Sequence, residues 1–227
     1  MFTTADLLDL QQTEHVALFE KTEFAWEALA QIKPYLQFRL KPEMQGELIG
    51  KPFISGQVFI GKGTVVEPGA VIKGPAWIGE DCQIRSGAYI RENVIVGNGC
   101  ILGNSSEFKN SILFNGVQAP HFNYVGDSIV GAKAHLAAGV ILSNLKLHDS
   151  PVTVRHEGKV LATGLRKFGA IIGDGAEIGC HAVLSPGSII GRNSLVYPGV
   201  QWRGVLPENS IVKLTQTQVV VKRARKS

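Results

Sequence analysis

The sequence predicts a mainly β protein: a left-handed parallel β-helix of hexapeptide repeats behind a short N-terminal helical cap. Two periodic series carry that expectation. Every sixth residue from Ile54 is large and apolar, through Ile60, Val66, Ile72, Ile78, Ile84, Ile90, Val96, Leu102, Phe108 and Phe114. A second, mostly small series lies four positions further on, through Val58, Thr64, Ala70, Ala76, Cys82, Ala88, Val94, Cys100 and Ser106. A period of six fits neither an α-helix nor a simple alternating strand. It fits three short strands joined by tight turns into a triangular coil. Each side then sets one large side chain inside and one small one near the corner, and the large ones stack from coil to coil. The series resumes at Val130, Leu136 and Leu142, and again at Ile172, Ile178, Leu184, Ile190, Val196 and Trp202. Composition agrees: Gly reaches 26 residues, Met only 2, and aromatics 7%, which suits a core filled by regular stacking.

The elements follow in order. Residues 1–50 lack the repeat and form the cap, 51–210 the β-helix, and 211–227 a C-terminal strand and basic tail. Thr3 is a natural N-cap before Ala5-Asp6-Leu7-Leu8. Ala25, Ala28, Leu29 and Ile32 follow helical spacing and predict an amphipathic helix that stops near Pro34 and closes off the first coil. Within the repeat, Gly63, Asn98, Gly103 and Asn193 supply turn conformations that other residues resist. Two interruptions are expected, Asn115 to Ser128 and Asn144 to Gly169, the second with a hairpin-like stretch from Pro151 to Val160. Loops leaving a rigid scaffold are favoured places for function. After Trp202, Ile211 to Leu214 and Val219 to Lys222 read as terminal strands, and Lys222-Arg223-Ala224-Arg225-Lys226 as a solvated tail.

Net charge is only +4, with the basic residues scattered apart from that tail, which argues against nucleic-acid binding. No stretch approaches 18 apolar residues, and no basic region with an apolar run opens the chain, so a soluble cytoplasmic protein is expected. Cys82 and Cys100 fall on inward positions, and Cys180 falls near a corner as a passive small residue. An odd number without a C-x-x-C pair reads as free thiols in a reducing compartment.

One stretch is more specific than the hexads. It runs through Arg91, Gly103-Asn104-Ser105-Ser106-Glu107-Phe108-Lys109, His121-Phe122-Asn123-Tyr124-Val125-Gly126-Asp127, Asn144 and Lys167-Phe168-Gly169-Ala170-Ile171-Ile172-Gly173-Asp174. It resembles the acetyltransferase domain of the bifunctional N-acetylglucosamine-1-phosphate uridyltransferase family. Thr163-Gly164-Leu165-Arg166-Lys167 is also similar to the β-helix domains of sugar-1-phosphate nucleotidyltransferases. The likeness covers about residues 50–210, and a standalone β-helix form without the nucleotidyltransferase domain is expected. It implies that His121 is the catalytic base, with Glu107 as its acidic companion. It implies sugar and phosphate contacts at Arg91, Lys109, Tyr124, Asn144 and Lys167, and acetyl-CoA contacts near Ala138 and around Cys180. The chain departs from the family at His135, which replaces an Asn, at Cys180, which replaces a Ser, and in a longer loop between Asn144 and Lys167.

The chemistry of those residue types fits the implied reaction. N-acetylation needs a base near neutrality, which a neutral His provides. A carboxylate beside it would orient the ring and stabilise the imidazolium. A sugar phosphate needs a cationic cradle, for which Arg91, Lys109 and Lys167 are the candidates. Asp127, after Gly126, reads as a turn-shaping residue. The expected function is therefore acetyl-CoA-dependent N-acetylation of an amino-sugar 1-phosphate or a nucleotide-linked amino sugar, by a homotrimer, with a separate nucleotidyltransferase as partner. The alternative is a catalytically reduced β-helix subunit that binds a sugar nucleotide. A zinc hydratase of the same fold would need converging histidines, and His121, His135, His148, His156 and His181 contain no closely spaced His-x4-His pair, so no metal is expected.

Overall fold

A computed structural model describes residues 2–216 and 218–223. The strands form three parallel sheets that run the length of the molecule, two of nine strands and one of eight. The chain visits the sheets in rotation, one strand on each per coil, so every coil is a triangle and the fold is a parallel β-solenoid. The first face contains Val58–Ile60, Ala76–Ile78, Val94–Val96 and Ser111–Leu113, the second Ile101–Asn104 and Gln118–His121, and the third Glu107–Lys109 and Tyr124–Gly126.

The interior is the apolar column that the periodicity predicts. Ile60, Ile72, Ile78, Ile84, Ile90, Leu102 and Phe108 are fully buried in one continuous core. Polar residues at the small inward positions are satisfied across coils. The Thr64 hydroxyl donates to the Gly79 carbonyl at 2.7 Å, the Cys82 thiol to Gly97 at 3.1 Å, and the Cys100 thiol to Phe114 at 3.1 Å. Such partners remove the penalty of burying a lone donor.

The coil shortens at more than one place, and the first shortening re-aims its side chains. Ala76 pairs with Val94, eighteen residues on, but Val94 pairs with Ser111, only seventeen on. The inward position therefore falls on Leu113, not on Phe114 as strict period six predicts. Phe114 points outward, its ring 5.6 Å from that of Phe19. The expected interruption from Asn115 to Ser128 is likewise a shortened coil: Gln118–His121 pairs with Ile101–Asn104, and Tyr124–Gly126 with Glu107–Lys109. Only the second break leaves the scaffold. There Ile129 pairs with Ile171, and the intervening excursion holds the antiparallel hairpin Thr153–His156 and Lys159–Ala162.

The N-terminal segment does not close off the first coil; it lies along the outside of the first face. That face presents Phe59, Trp77, Ile95, Ile112, Ile129, Ile171, Ile189 and Val205 outward, one per coil in register. Eight coils of exposed apolar side chains would be costly in water. Leu8, Leu18, Phe19, Trp26, Ile32 and Leu36 cover them, together with Val152 and Val154 of the hairpin. Hydrogen bonds fix the strap along one corner. Asp9 N–H donates to Asp174 Oδ2 at 2.6 Å, Asn115 N–H to the Gln12 carbonyl at 3.1 Å, and Asn98 Nδ2 to Glu14 at 3.0 Å.

Local expectations divide. Thr3 and Asp6 form a capping box around Thr4–Leu7, with Thr3 N–H to Asp6 Oδ2 at 2.6 Å. The helical segment runs Ala25–Gln31 and Ile32–Arg39, passing through Pro34. Pro34 sits in the first turn of the α-helical part, where a missing N–H costs little. Gly63 and Asn193 have positive φ, but Asn98 and Gly103 do not. Asn98 instead accepts from Glu80 N–H at 2.8 Å, while a Cβ on Gly103 would collide with the Pro120 carbonyl of the next coil. At the C-terminus, Ile211–Val212 is a strand, whereas Val219 to Lys222 is not. In the basic run, Ala224 to Lys226 lie outside the described residues.

Candidate active site

The expected site residues gather on the third face and its two corners. His121 ends the strand Gln118–His121 at the corner between the second and third faces. Its ring is exposed, and Phe122 beside it has φ 53° and is 58% exposed. Buried Asn123 shapes this corner: its Oδ1 accepts from His121 N–H at 3.2 Å, and its Nδ2 donates to the Ala137 carbonyl at 2.7 Å. The same corner recurs coil by coil. Gly139 N–H donates to the His121 carbonyl at 3.1 Å, His181 N–H to Ala138 at 2.9 Å, and Gly199 N–H to Cys180 at 2.9 Å. His121, Ala138 and Cys180 therefore stand on one ridge, at equivalent positions of successive coils. Cys180 is exposed, whereas Cys82 and Cys100 are buried.

The polar groups occupy the face beside that ridge. Tyr89, Glu107 and Tyr124 are in register across three coils. Arg91 Nη1 donates to Glu107 Oε1 at 2.9 Å. Among the described residues the His121 ring forms no hydrogen bond, so within the chain Glu107 is joined to Arg91 and not to His121. Burial raises the Tyr124 phenol above its ordinary range, and the Glu107 carboxylate adds to the rise. Tyr124 is thus a neutral hydroxyl at physiological pH.

At the far corner of the face, Asp127 ties the remaining groups together. Lys109 Nζ reaches its carboxylate at 3.2 and 3.4 Å, Asn110 Nδ2 at 2.9 Å and Asn144 Nδ2 at 2.5 Å. Asn144 Nδ2 also lies 3.2 Å from the Tyr124 hydroxyl. The excursion leaves and returns at this point: Phe168 N–H donates to the Asn144 carbonyl at 3.0 Å, and Gly169 N–H to the Asp127 carbonyl at 2.8 Å. Buried Phe168 anchors the return by packing on Trp26, ring centroids 5.9 Å apart, and so leaves exposed Lys167 beside Asn144. Asp127 was legible only as a turn residue, because its burial and its partners come from the coils on either side of it. His135 does not join this group. It faces out of the second face in register with Glu177 and lines a shallow groove with Ala137, Tyr197 and Pro198. No cluster of His, Cys, Asp or Glu among the described residues is arranged to hold a metal, and no described helix is long and apolar enough to cross a membrane.

A coil ridge carrying His121 adjoins a face of paired cations and carboxylates, and the comparisons give the class. Residues 72–164 match the family described as the GMPPB C-terminal domain. The bifunctional protein GlmU of Methanococcus maripaludis (strain C7) is 43% identical over 198 residues, covering 87% of this chain and 48% of that protein. The bifunctional sugar-1-phosphate nucleotidylyltransferase/acetyltransferase of Sulfurisphaera tokodaii is 37% identical over 95 residues, 42% of this chain and 24% of that one. The uncharacterized acetyltransferase YaiX of Escherichia coli (strain K12) is 36% identical over 173 residues, 75% of each chain. This chain belongs to the acetyltransferase family of YaiX, and over most of its length it is similar to part of the archaeal GlmU proteins. It spans about half the length or less of the archaeal relatives it matches.

Proposed function

We propose that the protein transfers an acetyl group from acetyl-CoA to the amine of an amino-sugar 1-phosphate, glucosamine or galactosamine 1-phosphate, or of a nucleotide-linked amino sugar. The supporting observation is the division of labour across one corner: His121 shares a ridge with Ala138 and Cys180, and the adjoining face carries Arg91, Lys109, Tyr124 and Asn144. Phosphate would be held by Arg91, Lys109 and Lys167, and the sugar by Tyr124 and Asn144. The pantetheine arm fits the ridge, where Ala138, Gly139 and Gly199 are small and the coil edge offers backbone groups.

In the reaction the amine nitrogen attacks the thioester carbonyl. A C–N bond forms, the C–S bond breaks, and His121 takes the amine proton and returns it to the departing CoA thiolate. No covalent enzyme intermediate is needed, and positioning supplies most of the rate. A homotrimer in the cytoplasm, contributing to UDP-N-acetylglucosamine synthesis with a separate nucleotidyltransferase, completes the reading. Its assembly is supported by the first face being covered by the chain's own segments, which leaves the other two for neighbouring copies.

The test is steady-state acetylation of glucosamine 1-phosphate, galactosamine 1-phosphate and a UDP-linked amino sugar. His121→Ala should cost about 100-fold or more in kcat. Wild-type turnover no greater than that of His121→Ala, on all three acceptors, would sink the proposal. One observation favours the catalytically reduced alternative: Glu107 is engaged by Arg91, and His121 has no carboxylate partner in the subunit. Tight binding of the sugar phosphate without turnover would be its signature.

A further inference from the structure

Asp127 is the most connected polar side chain on the third face, and the acetyltransferase reading gives it no part in the reaction. Only 4% of it is exposed, and it sits at φ 47°, a conformation that Asp and Asn tolerate better than other non-glycine residues. Its two oxygens take three donors from the two flanking coils: the Lys109 ammonium and the Asn110 amide from one, and the Asn144 amide from the other. Its backbone carbonyl takes a fourth, Gly169 N–H, from the end of the excursion.

The consequence is geometric. A lysine is a flexible stem ending in a point charge, and holding it in one place costs rotamer entropy. Lys109 is held by a carboxylate that is itself immobile. Asn144 is oriented by the same carboxylate, which directs its Nδ2 inward and leaves its Oδ1 for a ligand. The point where the excursion closes, and from which Lys167 projects, is joined to the same residue through its backbone. A buried carboxylate with several charge-assisted partners is stiff and strongly specifying.

We propose that Asp127 is a positioning residue of the acceptor site, which pre-orients Lys109 and Asn144 for the phosphate and sugar of the acceptor without touching the reacting atoms. The proposal rests on the acceptor lying over this face, as the acetyltransferase reading holds. Asp127→Asn keeps the side-chain shape and the φ preference, but removes the charge and turns an amide group toward one of the donors it now accepts from. Lys109 then loses its fixed counter-ion, and one neighbouring amide must turn away.

The experiment measures glucosamine 1-phosphate binding by calorimetry without acetyl-CoA, and KM and kcat with it, for wild type, Asp127→Asn, Lys109→Met and the double variant. The expected result is acceptor affinity about tenfold weaker in Asp127→Asn and KM raised in step, with KM for acetyl-CoA unchanged. A residue acting through Lys109 adds little once Lys109 is gone, so the double variant should bind within about twofold of Lys109→Met. A merely structural role would lower thermal stability and scale all parameters, with additive effects. Wild-type acceptor affinity in Asp127→Asn overturns the proposal, as does full additivity with Lys109→Met. If the wild type binds glucosamine 1-phosphate but does not acetylate it, the acetyl-transfer reading fails and the binding series alone decides Asp127. If the wild type does not bind it, the acceptor-site proposal falls as well.

Discussion

Acid should loosen the N-terminal strap through a single side chain, His15. The residue is 2% exposed, packed edge-on against Tyr35 and Trp77, with ring centroids 5.6 and 5.0 Å away, and its Nδ1 lies 2.9 Å from the Tyr35 hydroxyl. Burial pushes its pKa from 6.5 down to about 4; Glu14 opposes the shift and Arg39 adds to it. Once the strap lifts, the ring returns to its ordinary value. Between those two values the open state binds more protons than the closed one, so closure loses stability as pH falls from about 6.5 toward about 4. The loss is about 2 kcal/mol at about pH 5 and about 3 kcal/mol at about pH 4. Asp174, which clips the strap at Asp9, acts in the opposite direction: burial raises its pKa, so the penalty on its charge is relieved at low pH. The informative comparison is therefore between about pH 7.5 and about pH 5, above most carboxylate titration. Limited trypsin digestion at Lys21 and Arg39, with tryptophan fluorescence of Trp26 and Trp77, reports the strap. His15→Gln, which can still bond Tyr35 but does not titrate, should abolish the difference. An unchanged acid response in His15→Gln would refute the reasoning.

Three other outcomes are expected. Gly103→Ala should destabilise by about 1–3 kcal/mol in urea unfolding and lower acetylation, because its Cβ would meet the Pro120 carbonyl in the strand that ends at His121. Phe168→Ala should cost about 3–5 kcal/mol and raise the KM for the amino-sugar phosphate, because the emptied pocket releases the loop end that carries Lys167. A thiol reagent should label Cys180 alone in the folded protein and all three cysteines after unfolding, with acetyl-CoA slowing the Cys180 reaction. Rapid labelling of Cys82 or Cys100 under native conditions would contradict the closed core.

The inward column was legible because its signal is local and repeated: each coil states it again, from Ile54 through Phe108. A second signal of the same kind went unread. On the first face the residue before the inward one is apolar in coil after coil, as in Phe59-Ile60, Trp77-Ile78, Ile95-Val96 and Ile171-Ile172. That doublet marks a face buried on both sides, and it would have shown the helical segment to be a side cover. The motif likewise pointed to His121, Glu107, Arg91 and Lys109. It could not show that Glu107 belongs to Arg91, or that Asp127 collects Lys109 and Asn144.

By itself, then, the sequence determined the solenoid, the side chains that fill it and the stretch that carries the candidate chemistry. These depend on spacing within one coil, which the period states directly. Tertiary structure alone decided which residues are neighbours across coils. The seventeen-residue step from Val94 to Ser111 and the excursion between Ile129 and Ile171 reset every later alignment. A one-residue change in coil length alters no local preference, yet it turned Phe114 outward beneath Phe19. The same accumulated register brought Lys109, Asp127 and Asn144 to one corner.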